Sequence, residues 1–186
     1  ALLSNVGGIA NVAVGYQPLR ANVSGSGNTV LGSEAMLIST TAAYNVAVGL
    51  HALYSVVSST YSTAVGSYAL LANTAASITA VGAHALRQNT TGTYNTATGF
   101  ESQRLNITGS CNTSIGYQAL RNNTVSNNTA VGCQALKANT TGYSNTGLGY
   151  KTLSITTTGN RCTAVGFSAL QNNTTGTRNT SVGNEA

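Results

Sequence analysis

The 186-residue chain carries 8 Lys and Arg and 3 Glu, so charged residues make up only 6 % of it, against roughly 25 % in an ordinary soluble domain. It has no Asp and only 2 His, which excludes a Ser-His-Asp triad and leaves few groups for acid–base or metal-assisted catalysis. We therefore expect no enzyme, no metal and no cofactor. No apolar run reaches the length of a transmembrane helix, so we also expect no membrane insertion.

A repeat of 16 or 17 residues runs along the whole chain. The clearest unit, residues 128–144, reads NTAVGCQALKANTTGYS. A unit this short, rich in Thr, Val, Asn and Gly, suits one coil of a β-solenoid better than a pair of helices. We predict an all-β solenoid of about eleven 16–17-residue coils in a single repeat domain over residues 1–186. Positions are counted from the first Asn of each unit. In chain order, the glycine at position 5 is Gly15, Gly32, Gly49, Gly66, Gly82, Gly99, Gly116, Gly132, Gly149, Gly166 and Gly183.

Two columns of like residues form the predicted core, because stacked coils place each residue on its counterpart. One is position 9, which holds Leu in most units, with Met36 and Gln103 as exceptions. Gly at positions 5 and 15 is typical of corners with a positive φ or a close backbone approach. Asn at positions 1 and 12 is typical of turns whose amides bond from coil to coil. The other predicted core column is position 4: Val14, Leu31, Val48, Val65, Val81, Thr98, Ile115, Val131, Leu148, Val165 and Val182.

Two further columns, positions 2 and 13, are rich in β-branched residues and are the candidate functional sites. Such side chains suit any strand. A hydroxyl in a purely interior column needs a partner, however, so a Thr column favours a half-polar outer face. The first-choice column, position 2, contains Thr29, Thr63, Thr79, Thr96, Thr113, Thr129, Thr146, Thr163 and Thr180. The rival column, position 13, contains Thr40, Thr74, Thr90, Thr124, Thr140, Thr157 and Thr174.

The orientation of these columns is constrained, because residues two apart on a regular strand point to the same side. Three arrangements remain open for positions 2 and 4. Both columns point outward over a thin core of Ala at position 3, or both point inward, or a corner separates them. If both point outward, the resulting surface is apolar and must meet ice or a neighbouring chain.

Basic residues recur at position 10, where Arg87, Arg104, Arg121 and Lys137 follow one another in four successive coils. The column is either an anion-binding ridge for nucleic acid or acidic glycans, or a solvated edge that keeps molecules apart. We favour the solvated edge and expect no nucleic-acid partner.

Position 7 brings acidic residues beside histidines in adjacent coils. We predict two exposed ion pairs, Glu34 with His51 and Glu101 with His84, and no metal site. Position 6 is often aromatic. This pattern indicates either an aromatic stripe that binds glycans or rings that pack against neighbouring side chains.

The three cysteines, Cys111, Cys133 and Cys162, occupy different corners and heights of the predicted stack. A disulfide requires Cα atoms within about 7 Å. We therefore predict three free thiols.

The unit NTAVGCQAL, followed by NTTG at 139–142, resembles repeats in tail fibres of phages and large DNA viruses. Its TAVG core is similar to the repeats in the β-roll heads of trimeric bacterial adhesins. Its low charge and high Thr content are similar to those of microbial ice-binding proteins, including algal ones. The resemblance implies a secreted or virion-surface protein that recognises a surface. We expect ice binding through the Thr columns, with ice as the partner. The alternatives are a segment of a homotrimeric fibre or adhesin, and then a glycan-binding module.

Overall fold

The computed structural model describes residues 1–186 as eleven three-residue strands without a helix. All eleven strands form one parallel sheet in chain order, as expected of a solenoid with one strand per coil. The predicted all-β solenoid is therefore confirmed. The strands are β1 Val12–Val14, β2 Thr29–Leu31, β3 Val46–Val48, β4 Thr63–Val65, β5 Thr79–Val81, β6 Thr96–Thr98, β7 Thr113–Ile115, β8 Thr129–Val131, β9 Thr146–Leu148, β10 Thr163–Val165 and β11 Thr180–Val182.

The strands pair in register, so each side chain lies directly above its counterpart. Thr146 pairs with Thr163, and Leu148 with Val165. The register survives the two 16-residue coils, since Thr63 still pairs with Thr79. Their missing residue falls in the loop between position 13 and the next strand, and the sheet is not interrupted.

Each coil turns sharply after its strand, at the glycine of position 5. These glycines have φ between 127° and 149°, a region that residues with a side chain rarely adopt. A Cβ on Gly116 would also lie 2.5 Å from the carbonyl oxygen of Gly132 in the next coil. The conformation and the close stacking of coils both require glycine here, as the repeat predicts.

The leucines of position 9 adopt the left-handed conformation, with φ between 47° and 51°. A bulky residue in this region is unusual and strained by roughly 1 kcal/mol or more. The strain is offset by burial, because Leu53, Leu86 and Leu136 are completely inaccessible to solvent. The predicted inward position of this column is confirmed.

The rest of the apolar core differs from the prediction for position 4. The inward residue of each strand is the one at position 3, which is small in every strand except β2, where it is Val30; Ala64, Ala97 and Ala164 are fully buried examples. Position 4 points away from the core and is exposed or half-buried. The prediction that position 4 lies inside is therefore wrong. The strand is regular, so positions 2 and 4 share its outer side and a thin layer of Ala packs against Leu.

Buried asparagines at positions 1 and 12 fasten successive coils. The amide nitrogen of Asn106 donates to Oδ1 of Asn89 in the preceding coil and to the carbonyl oxygen of Gly109, both at 2.9 Å. At position 1, the backbone N–H of Asn145 donates to Oδ1 of Asn128 at 2.9 Å. These bonds satisfy polar groups that the thin core shields from water, and they confirm the predicted amide bonding between coils.

A polar group divides the apolar core into two clusters. Gln103 replaces the usual Leu, while Ser102 and Ser114 replace Ala at positions 8 and 3; all three are fully buried. Gln103 Nε2 donates to Ser114 Oγ at 2.8 Å and to the carbonyl oxygen of Thr96 at 3.1 Å. One apolar cluster ends at Ala97 and the other begins at Ala119.

Candidate functional site

The most regular surface of the molecule is the outer side of the sheet. We call the side chains at positions 2 and 4 of β1–β11 the Thr face. Every strand has a buried or half-buried centre and a more exposed residue on each side, as in β7, where Thr113 and Ile115 flank buried Ser114. All nine first-choice Thr residues are therefore on this outer surface, at the first residue of their strands.

The hydroxyls distinguish the two Thr columns. None of the nine position-2 hydroxyls hydrogen-bonds within the protein, so their donors and acceptors are available to an outside partner. At position 13, six of the seven hydroxyls donate a hydrogen bond to a backbone carbonyl oxygen of the next coil. Thr124 donates to the carbonyl oxygen of Thr140 at 2.8 Å, and Thr140 to that of Thr157 at 3.1 Å. The rival column thus uses its donors to hold coils together.

The Thr face also presents apolar side chains that the sequence analysis assigned to the core. Leu31, Ile115 and Leu148 at position 4 are 49 %, 43 % and 37 % exposed. The period of two within a strand puts positions 2 and 4 on one side, and the burial of position 3 makes that side the outer one. No charged residue lies at position 2 or 4. The surface therefore combines free hydroxyls with methyl groups and carries no charge.

The surface has no obvious centre for other chemistry. No group of three or more His, Cys or Glu side chains is placed to hold a metal ion, and no helix could cross a bilayer. No family model, curated protein or solved structure matches this chain. The function must therefore be inferred from the arrangement of its surfaces.

Charged side chains gather on another part of the coil, at positions 7, 10 and 17. The predicted pair of Glu34 and His51 is present, with 3.0 Å between Oε2 and Nε2. The predicted pair of His84 and Glu101 is absent. Instead, the Glu101 carboxylate accepts from Arg104 at 2.9 Å and from Arg121 at 2.8 Å.

Electrostatics explains this choice of partners. Burial raises the pKa of Glu101, but hydrogen bonds from Arg121 and Gln118 and the charges of both arginines outweigh it, so the pKa is below its usual range. Burial and the nearby charges of Arg87 and Arg104 lower the pKa of His84, against an opposing effect of Glu101. A neutral histidine is the weaker partner for the carboxylate, because the arginines keep their full charge.

Aromatic rings at positions 6 and 7 stack along the solenoid axis. Tyr68 and His84 are parallel, with centroids 5.2 Å apart, and Phe100 and Tyr117 are parallel at 5.8 Å. Tyr150 and Phe167 form a similar pair at 5.0 Å. Each of these rings packs against a ring of a neighbouring coil, yet Phe100, Tyr117 and Phe167 are still 45 %, 47 % and 49 % exposed. The rings therefore do pack side by side, and the glycan stripe stays a prediction.

The three cysteines are unpaired, as predicted. Cys111 is exposed, Cys133 half-buried and Cys162 buried. Cys162 replaces Asn at position 1, and its Sγ lies 3.2 Å from the carbonyl oxygen of Gly176 and 3.4 Å from Nδ2 of Asn173. It therefore takes the structural place of a ladder asparagine.

Proposed function

We propose that this protein binds ice through the Thr face. The observation that carries the proposal is the pair of outward columns that stack in register over eleven strands. Position 2 is Thr with a free hydroxyl in nine of them, and position 4 is aliphatic in ten. Neighbouring strands repeat at about 4.8 Å, and positions 2 and 4 of one strand are roughly 6.6 Å apart. A two-dimensional array of this kind is suited to a partner that is itself a lattice.

The mechanism depends on preorganisation. Thr and Val have few χ1 rotamers, so little side-chain entropy is lost when the array meets a rigid surface. The methyl groups confine water between the columns. The hydroxyls hydrogen-bond to this water and hold it at the spacing of the array. Charged groups would keep their own hydration shells, and the array has none. A protein that acts in this way meets ice outside the cell, which agrees with a secreted product.

A bulky substitution on each Thr column tests the site. Thr146 is on β9, between Thr129 and Thr163, and its hydroxyl is free. In Thr146→Tyr the ring stands above the array and separates ice from the neighbouring strands. Thermal hysteresis and ice shaping should fall sharply, while the free energy of unfolding changes by no more than about 0.5 kcal/mol, as for a surface site.

The matched control is Thr140→Tyr, which adds the same bulk to position 13. Its thermal hysteresis should remain near that of the parent, although the bond to Thr157 is lost. If the control loses activity and Thr146→Tyr keeps it, the site belongs to position 13. A parent protein that never arrests ice growth would rule out the ice-binding proposal altogether.

A second candidate is a segment of a homotrimeric fibre or adhesin, in which the Thr face packs against two further chains. The exposed aliphatic side chains of position 4 favour it, because they form an apolar column interrupted only by Thr98. The molar mass in solution distinguishes the two functions. A monomer leaves the face free for ice, whereas a trimer that Thr146→Tyr dissociates would support the fibre.

A further inference from the structure

The side of the solenoid opposite the Thr face carries most of the charge. Gln103 at position 9 reaches across the core to the backbone of β6 and to Ser114 of β7, so positions 7 and 10 lie on the far side from the sheet. These two positions hold six of the eight Lys and Arg and all three Glu, a net charge of +3. The molecule therefore has one uncharged and one basic side.

The basic residues of four successive coils form a line that we call the basic ridge: Arg87, Arg104, Arg121 and Lys137. With coils about 4.8 Å apart, the ridge extends over roughly 14 Å. Glu101 is the one acidic group paired within it, and it is shared between Arg104 and Arg121. Neither Arg87 nor Lys137 has an acidic partner, so the ridge keeps an uncompensated positive charge at both ends.

The surroundings of the ridge limit which polyanion it suits. A single-stranded nucleic acid would need open aromatic faces on which its bases stack. Next to the ridge, Tyr68 is stacked on His84 and covered by the guanidinium of Arg87 at 5.7 Å, and Phe100 is stacked on Tyr117. These rings already pack against one another, which disfavours base stacking and leaves the cationic groups of the ridge to bind anionic oxygens.

We propose that the basic ridge binds a linear acidic polysaccharide, with sulfate or carboxylate groups placed against successive coils. The ridge and the Thr face are on opposite sides, so this binding leaves the Thr face free. The protein would then be anchored to a polyanionic surface without occupying the proposed ice-binding array. The proposal does not depend on ice binding, since it concerns different residues.

Dextran sulfate is the probe, and uncharged dextran of the same length is the control ligand. Titration calorimetry of the whole chain at low salt should show binding to dextran sulfate and none to dextran. The affinity should fall with salt, with a log–log slope of about −3 if all four cations take part. Failure to bind dextran sulfate at low salt would overturn the proposal.

Two double variants with the same loss of net charge localise the site. Arg87→Gln with Lys137→Gln removes the unpaired ends of the ridge and leaves the contacts of Glu101 intact. Its affinity for dextran sulfate should fall about 30-fold. Arg161→Gln with Arg178→Gln changes position 17 instead, and its affinity should stay within about twofold of the parent.

Each remaining outcome is informative. Equal losses in the two double variants would mean that net charge alone attracts the polymer, and the ridge would not be a site. Tighter binding of single-stranded DNA than of dextran sulfate at equal charge would make the surface a nucleic-acid site and overturn the assignment. Circular dichroism of both variants verifies that the fold is retained, and unchanged ice activity of the ridge variant would separate the two surfaces.

Discussion

Restoring the repeat consensus at the polar group in the core should stabilise the protein. The triple variant Ser102→Ala, Gln103→Leu and Ser114→Ala places at each position the residue found there in most other coils. Gln103 is fully buried, and its Oε1 has no hydrogen-bond partner. Leu is already accommodated in the left-handed conformation of this position in the adjacent coils, at Leu86 and Leu120.

The expected magnitude follows from the groups removed. Loss of the orphaned acceptor recovers about 1–3 kcal/mol, and a buried Leu side chain contributes roughly 1.5–3 kcal/mol. Against this, the carbonyl oxygen of Thr96 loses its bonds from Gln103 and Ser114, at roughly 1 kcal/mol each. The bonds among the three side chains lose both partners and cost little. The net gain is about 0.5–4 kcal/mol, which for a chain of this size corresponds to a rise in Tm of about 1–16 °C.

Thermal unfolding followed by circular dichroism and calorimetry measures the effect. The transition should also sharpen, because joining the two apolar clusters strengthens the coupling between neighbouring coils. Gln88→Leu at exposed position 11 is the control, and its Tm should stay close to that of the parent. A Tm of the triple variant equal to or below that of the parent would refute the reasoning and show that the polar group supports the stack.

Two other substitutions test the bonds between coils. Asn106→Ala leaves the Asn89 side-chain oxygen without a donor and the Gly109 carbonyl with Asn95 as its one remaining side-chain donor. The free energy of unfolding should therefore fall by about 2–4 kcal/mol in denaturant titrations. Asn172→Ala, at an exposed position, should change it little, and equal effects would contradict the ladder. Glu101→Gln should lower Tm at neutral pH. Because the folded pKa of Glu101 is depressed, its stabilisation is present above the unfolded pKa of about 4.3 and is lost as pH falls through the folded value. The Tm difference between parent and Glu101→Gln should therefore shrink in acid, and a difference independent of pH would argue against the ion pairs.

The repeat by itself determined the solenoid, the glycine corners, the asparagine ladders and the inward Leu column. These features can be recognised in the sequence because the coils stack in register. A residue that the coil geometry requires therefore recurs at the same position of every repeat. Gly116 is an example, since a Cβ there would collide with the next coil. The free thiols were predictable for the same reason, as the repeat gives each cysteine its own corner and height.

The tertiary structure alone decided the direction of position 4 and the partner of Glu101. Val, Ile and Thr all occur on both the inner and the outer side of strands. The residue types at positions 2 and 4 therefore did not show that Ile115 faces outward with Thr113. Only the packing of Ala97 and Ala130 against the Leu column does so, because a core this thin accepts a methyl group at position 3 and leaves the bulkier neighbours outside. Likewise, His84 and Arg121 are both one coil from Glu101, and the carboxylate pairs with the residue that carries a permanent charge.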